Sequence, residues 1–460
     1  MIELPYFADA LTLYSRLEGF GNAVLLESGG DGDRARWDII GSGSIPDADI
    51  TLDSALSVPQ TLERVHAART AIVERLGPID ASEHREADAT LPFHGGYIGH
   101  FSYELGRRLH GLAPAATAMP LAVVRYYPWA VVQDRENERS WLTGTCPDAL
   151  KEHLRRALEK PADGPETCDN FQLDAPFAGP WTRDHFRTCL AQVHEYLLGG
   201  DCYQINIGQP FKAPYRGDLK PAYAALRRVA RAPFSAYFPL EERRALLSVS
   251  PERFLQVRNG TVETRPIKGT RPRHVDAEQD RKAARALLAS PKERAENLMI
   301  VDLLRNDLGR FCATGSVEVD QLYRLESYAT VHHLTSVICG RLDAGIEPID
   351  LLLGCLPGGS ITGAPKRRAM ELIDELEPEA RQSWCGTIFY LSRDGQMDSS
   401  ITIRSLFADG HTLTCWAGGG LVVDSEADAE FREQQHKVGA LLACLETACA
   451  AGPTSCRGCS

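Results

Sequence analysis

The sequence predicts a mixed α+β fold built on large, mostly antiparallel sheets. Three observations carry that prediction. Short β-like runs separated by turns recur along the whole chain, the helical stretches do not alternate with them in a βαβα order, and no internal repeat is present. At 460 residues, 43% of them apolar, the chain has ample material for a large core and for two or three domains.

The elements follow in order. Residues 1–160 form a β-rich N-terminal region, with runs such as AVLLES (23–28) and LAVVRYYPWAVVQD (121–134) bounded by Pro- and Asp-rich segments. One helix is expected over 57–77. Residues 161–180 carry prolines and acids without a hydrophobic period and are expected to be a linker. A second region, 181–448, opens with a helix that Thr182 caps and Gly199 and Gly200 stop. Strand-like runs follow, then a helical tract over 276–309 broken at Ser290 and Pro291. Two more strand-like runs (GTIFYLS and SSITIRSLFAD), the run TLTCWAGGGLVV and a helix over 427–448 complete it. Residues 449–460 read as a flexible tail, with Cys456 and Cys459 as exposed thiols.

Composition excludes several classes of function. The net charge is −12 with no long basic stripe, which disfavours nucleic acid, because phosphate neutralisation supplies most of that affinity. No apolar run approaches the ~18 residues of a membrane helix, and the N-terminus lacks a secretion signal. Thirteen scattered cysteines read as reduced thiols. A cytoplasmic protein is the expectation. Serine and cysteine nucleophile elbows, HExxH and GxGxxG are all missing, so any ammonia used comes from solution or a partner.

The chemistry-bearing patterns are few. Glu293 and Glu296, and again Glu430 and Glu433, stand at i, i+3, which places each pair on one helix face. Two such faces brought together could hold Mg²⁺ through carboxylate oxygens. Ser290 followed by Pro291 and Glu293 also reads as a helix cap, as does Ser425 with Asp428, so both meanings stay open. GGSITGAPK (358–366) offers backbone N–H groups, the Thr362 hydroxyl and Lys366 ahead of a helix. It departs from a nucleotide-binding loop at Ala364, leaving a carboxylate loop or an empty helix entry. Lys268, flanked by Arg265, Arg271 and Arg273, is either a lysine of lowered pKa or part of an exposed basic turn. Glu252 is a candidate acid. His332 and His333 lie in an apolar context that also suits core histidines.

Long motifs then occur in order. They are FSYELGRR (101–108), GDCYQINIGQ (200–209), APFSAYF, SPERF, RPIKGTRPR (265–273), RAENLMIVDLLRNDLGR (294–310), VHHL, PGGSITGAPKRRAMELIDELEP (357–378), SSITIRSL (399–406) and AGGGLVVDS (417–425). Together, over about residues 20–447, they resemble the chorismate-utilising enzyme family. The resemblance implies a four-layer α/β/β/α sandwich of large, mostly antiparallel sheets with outer helices. It implies Mg²⁺ bound by Glu296 and Glu433, supported by Glu293 and Glu430. Chorismate would be contacted by Gln204, Thr270, Thr362, Tyr390, Arg404, Lys366 and the backbone of Gly418, Gly419 and Gly420. Catalysis would fall to Lys268 as nucleophile and Glu252 as general acid, with His333 near the ring.

Within the family, water-adding members carry a lysine where Gln204 stands, and anthranilate synthase large subunits have a small residue where Lys268 stands. Gln204 implies an ammonia-using member, and Lys268 the branch that aminates chorismate at C4 on the route to 4-aminobenzoate and folate, with ammonia from a glutaminase subunit. An anthranilate synthase large subunit is the alternative enzyme. A chorismate- or tryptophan-binding regulatory protein is the non-catalytic one. Arg271 departs from the Leu of close relatives. Ser28, Arg36, Trp37, Pro233, Phe234 and Ser235 resemble a tryptophan pocket of the family.

Overall fold

The computed structural model describes residues 1–30, 35–77, 91–159, 171–241, 243–328 and 331–450. Among these, two antiparallel sheets of 12 and 10 strands hold every strand. In the first sheet the path runs Ile2–Leu4, Arg139–Gly144, Trp129–Asp134, Trp37–Gly41, Val24–Glu27, Phe234–Pro239, Ala245–Ser250, Ser405–Ala408, Thr412–Leu421, Gln204–Arg216 and Gly363–Ala364. In the second it runs Ile267–Pro272, Val331–Arg341, Thr261–Thr264, Arg253–Arg258, Met397–Ile401, Thr387–Ser392, Gly96–Phe101, Ala122–Tyr127 and Ile50–Leu52.

Alternation explains how the layers stack. Val24, Ile39, Phe238 and Phe407 of the first sheet pack with Ile98, Val123 and Ile388 of the second in one buried cluster between the sheets. The opposite face of the first sheet buries Leu247 and Leu406 against Leu13, Tyr223 and Leu441, from helices Ala10–Leu17, Lys220–Ala230 and Ala427–Ala450. The opposite face of the second buries Tyr97 and Phe389 among Ile72, Ile300 and Leu352, from helices Val58–Leu76, Pro291–Gly309 and Pro348–Cys355. The α+β class and its α/β/β/α layering are as expected. No helix among the described residues is long and apolar enough to cross a membrane.

The β-rich N-terminal region contributes strands to both sheets: Val24–Glu27 pairs with Phe234–Pro239, and Gly96–Phe101 with Thr387–Ser392. Several local expectations change. Residues 161–170 of the expected linker and the tail 451–460 lie outside the described residues. The rest of that linker is packed, with Gln172–Leu173 paired to Tyr215 and Arg216 and Ala178 bridged to Lys212. The run 121–134 is two strands in different sheets, divided at Pro128, which has no N–H to donate to a ladder. Ser425 does not cap the last helix through Asp428; its hydroxyl donates to Glu430 Oε1 at 2.9 Å.

Candidate active site

Lys268 stands on the edge strand Ile267–Pro272, where the ladder with Val331–Arg341 slips between Lys268 and Thr270. Gly269 makes the slip, with φ of +74°. A Cβ there would lie 2.7 Å from Glu293 Oε2 and 2.8 Å from a Leu287 methyl, so the position demands glycine twice over. Such a bulge re-aims its neighbours. The Lys268 ammonium donates to the Ser360 carbonyl at 3.4 Å. Burial pulls its pKa below the ordinary lysine value against the pull of Glu296 and Glu252, and Lys437 lowers it further. The Ser360 hydroxyl in turn donates to Glu252 Oε1 at 3.1 Å. One residue thus touches both the candidate nucleophile and the candidate acid.

Glu252 and Arg404 are delivered by the same device. Glu252 lies where the chain passes from Ala245–Ser250 in the first sheet to Arg253–Arg258 in the second. Arg404 lies where it returns, from Met397–Ile401 to Ser405–Ala408. The two crossings are tied together: Ile401 N–H donates to the Glu252 carbonyl at 3.1 Å, and the Ser250 hydroxyl donates to the Ile401 carbonyl at 2.6 Å. Arg404 adopts a left-handed φ of +49°, a strained choice for a non-glycine residue. Burial disfavours its charge and Glu252 favours it. Thr270 and His333, opposite each other in the ladder, are joined through Thr270 Oγ1 and His333 Nδ1 at 2.9 Å.

The glycine run lies against Gln204–Arg216, with Asn206, Ile207 and Gly208 opposite Gly420, Gly419 and Gly418. A Cβ on Gly420 would meet Gln204 Nε2 at 2.6 Å, and one on Gly418 would meet the Trp384 ring at 2.7 Å. These positions are glycine because neighbouring side chains fill the space. Gln204 is buried, and its Oε1 has no hydrogen-bond partner among the described residues.

Trp384 was not expected here, and its motif carries no signal for the role. Its ring stacks on Trp416 at 5.1 Å and lies under the Arg381 guanidinium at 4.5 Å. Ser360 was also missed, although it lies within a singled-out loop. Tyr390 is not brought to this group; its ring packs edge-on to Phe93 at 5.9 Å and lines a cavity between the sheets. That is a consequence of strand alternation, which points Tyr390 to the inter-sheet face. Thr362 is buried, and its hydroxyl donates to the Gly358 carbonyl at 3.0 Å. Lys366 is also turned inward, donating to Asp307 Oδ2 at 2.8 Å and to the Cys355 carbonyl at 3.1 Å.

The four acids come from two helices, Pro291–Gly309 and Ala427–Ala450. Among the described residues no three His, Cys, Asp or Glu side chains are grouped closely enough to ligate one ion as they stand. The donor chemistry nevertheless suits a hard cation, and the Lys292 ammonium nitrogen sits 3.4 Å from Glu430 Oε1 and 3.9 Å from Glu296 Oε1. Carboxylates from both helices therefore converge on one positive centre. Burial raises the Glu296 pKa, with Lys268 and Lys292 opposing. Burial also works against the Glu433 charge, but Lys437 outweighs it and holds that carboxyl below its ordinary value.

All six residues resembling a tryptophan pocket line the inter-sheet cavity that Tyr390 faces. Arg36 lies over the Trp37 ring at 4.5 Å and pairs with Asp134 at 2.7 Å.

A family model described as chorismate binding enzyme matches residues 22–443, which contain every residue of this site. The chain belongs to the chorismate-binding enzyme family. It is 44% identical to component 1 of aminodeoxychorismate synthase from Klebsiella aerogenes over 97% of this chain and 99% of that protein. It is 42% identical to the protein of that name from Escherichia coli K12, over 97% and 98%. Among solved structures, anthranilate synthase component I from Streptococcus pneumoniae superposes with a TM-score of 0.75 at 29% identity, covering 90% of this chain and 93% of that one.

Proposed function

We propose that this enzyme is the aminating component of an aminodeoxychorismate synthase, converting chorismate and ammonia to 4-amino-4-deoxychorismate. The observation that carries this reading is the Lys268–Ser360–Glu252 chain of contacts, which holds an amine of depressed pKa and a buried carboxyl on one serine. The Lys268 amine, in its neutral form, attacks C2 of chorismate. Both conjugated ring double bonds shift towards C4 and the C4 hydroxyl leaves as water, taking its proton from Glu252. Ammonia then adds at C4 and gives a proton back to the Glu252 carboxylate, both double bonds return, and the C2–nitrogen bond breaks with its electrons on nitrogen to free neutral Lys268. Arg404 and the glycine run are suited to the substrate's carboxylates, and Gln204, with its free carbonyl oxygen, to the incoming ammonia.

Glu296 and Glu433 would hold Mg²⁺, with Glu293 and Glu430 in support. The ion would supply charge stabilisation and orientation at a carboxylate. Ammonia would come from a glutaminase subunit in the cytoplasm, and the inter-sheet cavity would be the place for a bound tryptophan. The higher identity to aminodeoxychorismate synthase components, 42–44% against 33–34% for anthranilate synthase components, supports amination at C4 over C2.

Product analysis with chorismate, Mg²⁺ and ammonium tests the reading. Aminodeoxychorismate is the expected product, and Lys268→Ala is expected to abolish its formation. Anthranilate from the wild type, or undiminished aminodeoxychorismate from Lys268→Ala, would overturn respectively the branch and the covalent step.

A further inference from the structure

Each of the four acids above already has a cation supplied by this chain. Arg271 lies 3.5 Å from Glu293 Oε1, and Lys437 lies 2.9 Å from Glu433 Oε1. Lys292 serves the remaining two, Glu430 and Glu296. The three cations are not equivalent. Lys437 is also anchored by donating to the Gly418 carbonyl at 3.1 Å. Arg271 stays on one helix's acid, and its guanidinium also donates to the Thr270 carbonyl at 2.9 Å. Lys292 alone spans the two helices. It is one turn before Glu296 on its own helix and reaches across to Glu430 on the other. Its side chain is 48% exposed, so it has open solvent to swing into on a flexible four-carbon stem.

A nitrogen 3.4 and 3.9 Å from two opposed carboxylates occupies space that a small cation held between these helices would compete for. An ammonium and a divalent ion cannot share it. Building on the metal reading above, we propose that Lys292 is a tethered counter-ion. It holds the two acid-bearing helices together before the metal arrives and swings out when the metal binds, so that loading the site is an exchange of cations. Two consequences follow. The metal-free site is largely neutralised and its helices stay registered, and metal affinity is set lower than four carboxylates alone would give.

The test uses the full chain without chorismate, with Mn²⁺ as the probe and the free-ion electron paramagnetic resonance signal as the readout. Lys292→Met and Lys292→Gln are each expected to bind Mn²⁺ about tenfold more tightly than the wild type. Lys292→Arg, which keeps the charge, is expected to stay within about twofold. Without metal, Lys292→Met is expected to melt below the wild type, and added Mn²⁺ to raise its melting point by more. Equal affinity in the wild type and both neutral variants, with native circular dichroism, would overturn the exchange while leaving the metal reading intact. Absence of Mn²⁺ binding in all four proteins would remove the metal reading and the exchange with it.

Discussion

Lys268 and Lys366 show how one residue type takes opposite meanings from its surroundings. Lys268 is half-buried, its ammonium donating to a carbonyl at 3.4 Å with acids only at longer range, so desolvation dominates and the proton is held weakly. A lowered lysine pKa means the reactive neutral amine becomes populated at a pH below that of an ordinary lysine. The kcat/KM for ammonium-dependent turnover, corrected for the ammonia fraction, should therefore rise with pH along a limb that ends below the ordinary lysine range. A limb at the value of a free lysine would show that the amine is not desolvated. Lys366 is more deeply buried, but it donates to Asp307 at 2.8 Å. Lys366→Met would leave that carboxylate buried and alone. We expect a loss of about 3–5 kcal/mol in denaturant unfolding, read in stability rather than in the KM for chorismate.

At the scale of elements, the site is made by irregularities in regular structure. The slip at Gly269 separates Lys268 from Thr270, and the two inter-sheet crossings deliver Glu252 and Arg404. Gly269→Ala would force a left-handed conformation on alanine and drive its methyl into Glu293 and Leu287. We expect at least about 1 kcal/mol of destabilisation and a loss of amination that exceeds what stability explains, because relief of the clash must move either Lys268 or Glu293. Unfolding curves and kcat on the same preparation separate the two effects. Full activity in this variant would show that the bulge does not set the lysine's aim.

For the whole molecule, the sandwich buries polar groups as well as apolar ones, and this gives the fold a pH dependence of its own. Asp38 on strand Trp37–Gly41 is buried beside Glu27, accepts the Ser28 N–H at 3.0 Å, and is pushed up to about 7, first by burial and then by Glu27. The folded chain thus binds this proton more tightly than the unfolded chain does. The contribution is fully present below the unfolded aspartate value and is lost as pH rises towards about 7. Asp38→Asn removes the ionisation. Its melting point relative to wild type should climb between about pH 4 and 7, reaching a few degrees in its favour at pH 8. A constant difference across that range would mean that Asp38 titrates normally.

The sequence by itself determined the elements and the identity of the chemical groups. Thr182 caps its helix as expected, the helix expected over 57–77 forms from Val58 to Leu76, the tract over 276–309 breaks at Ser290 as its proline requires, and the α+β class follows from the run of strands. The acid pairs, Lys268, Glu252 and the glycine run were visible because spacing and residue type are local properties. Lys292 and Lys437 had a signal as well, since each stands four residues from an acid of its own helix. Only the tertiary structure decided which groups meet. Ser360 becomes the shared partner of Lys268 and Glu252, Trp384 comes to lie beside Gly418, and Tyr390 and Lys366 turn to other neighbours. Those contacts join residues far apart in the chain across two sheets. They depend on strand register and on where the chain crosses between layers, which no short window of sequence specifies.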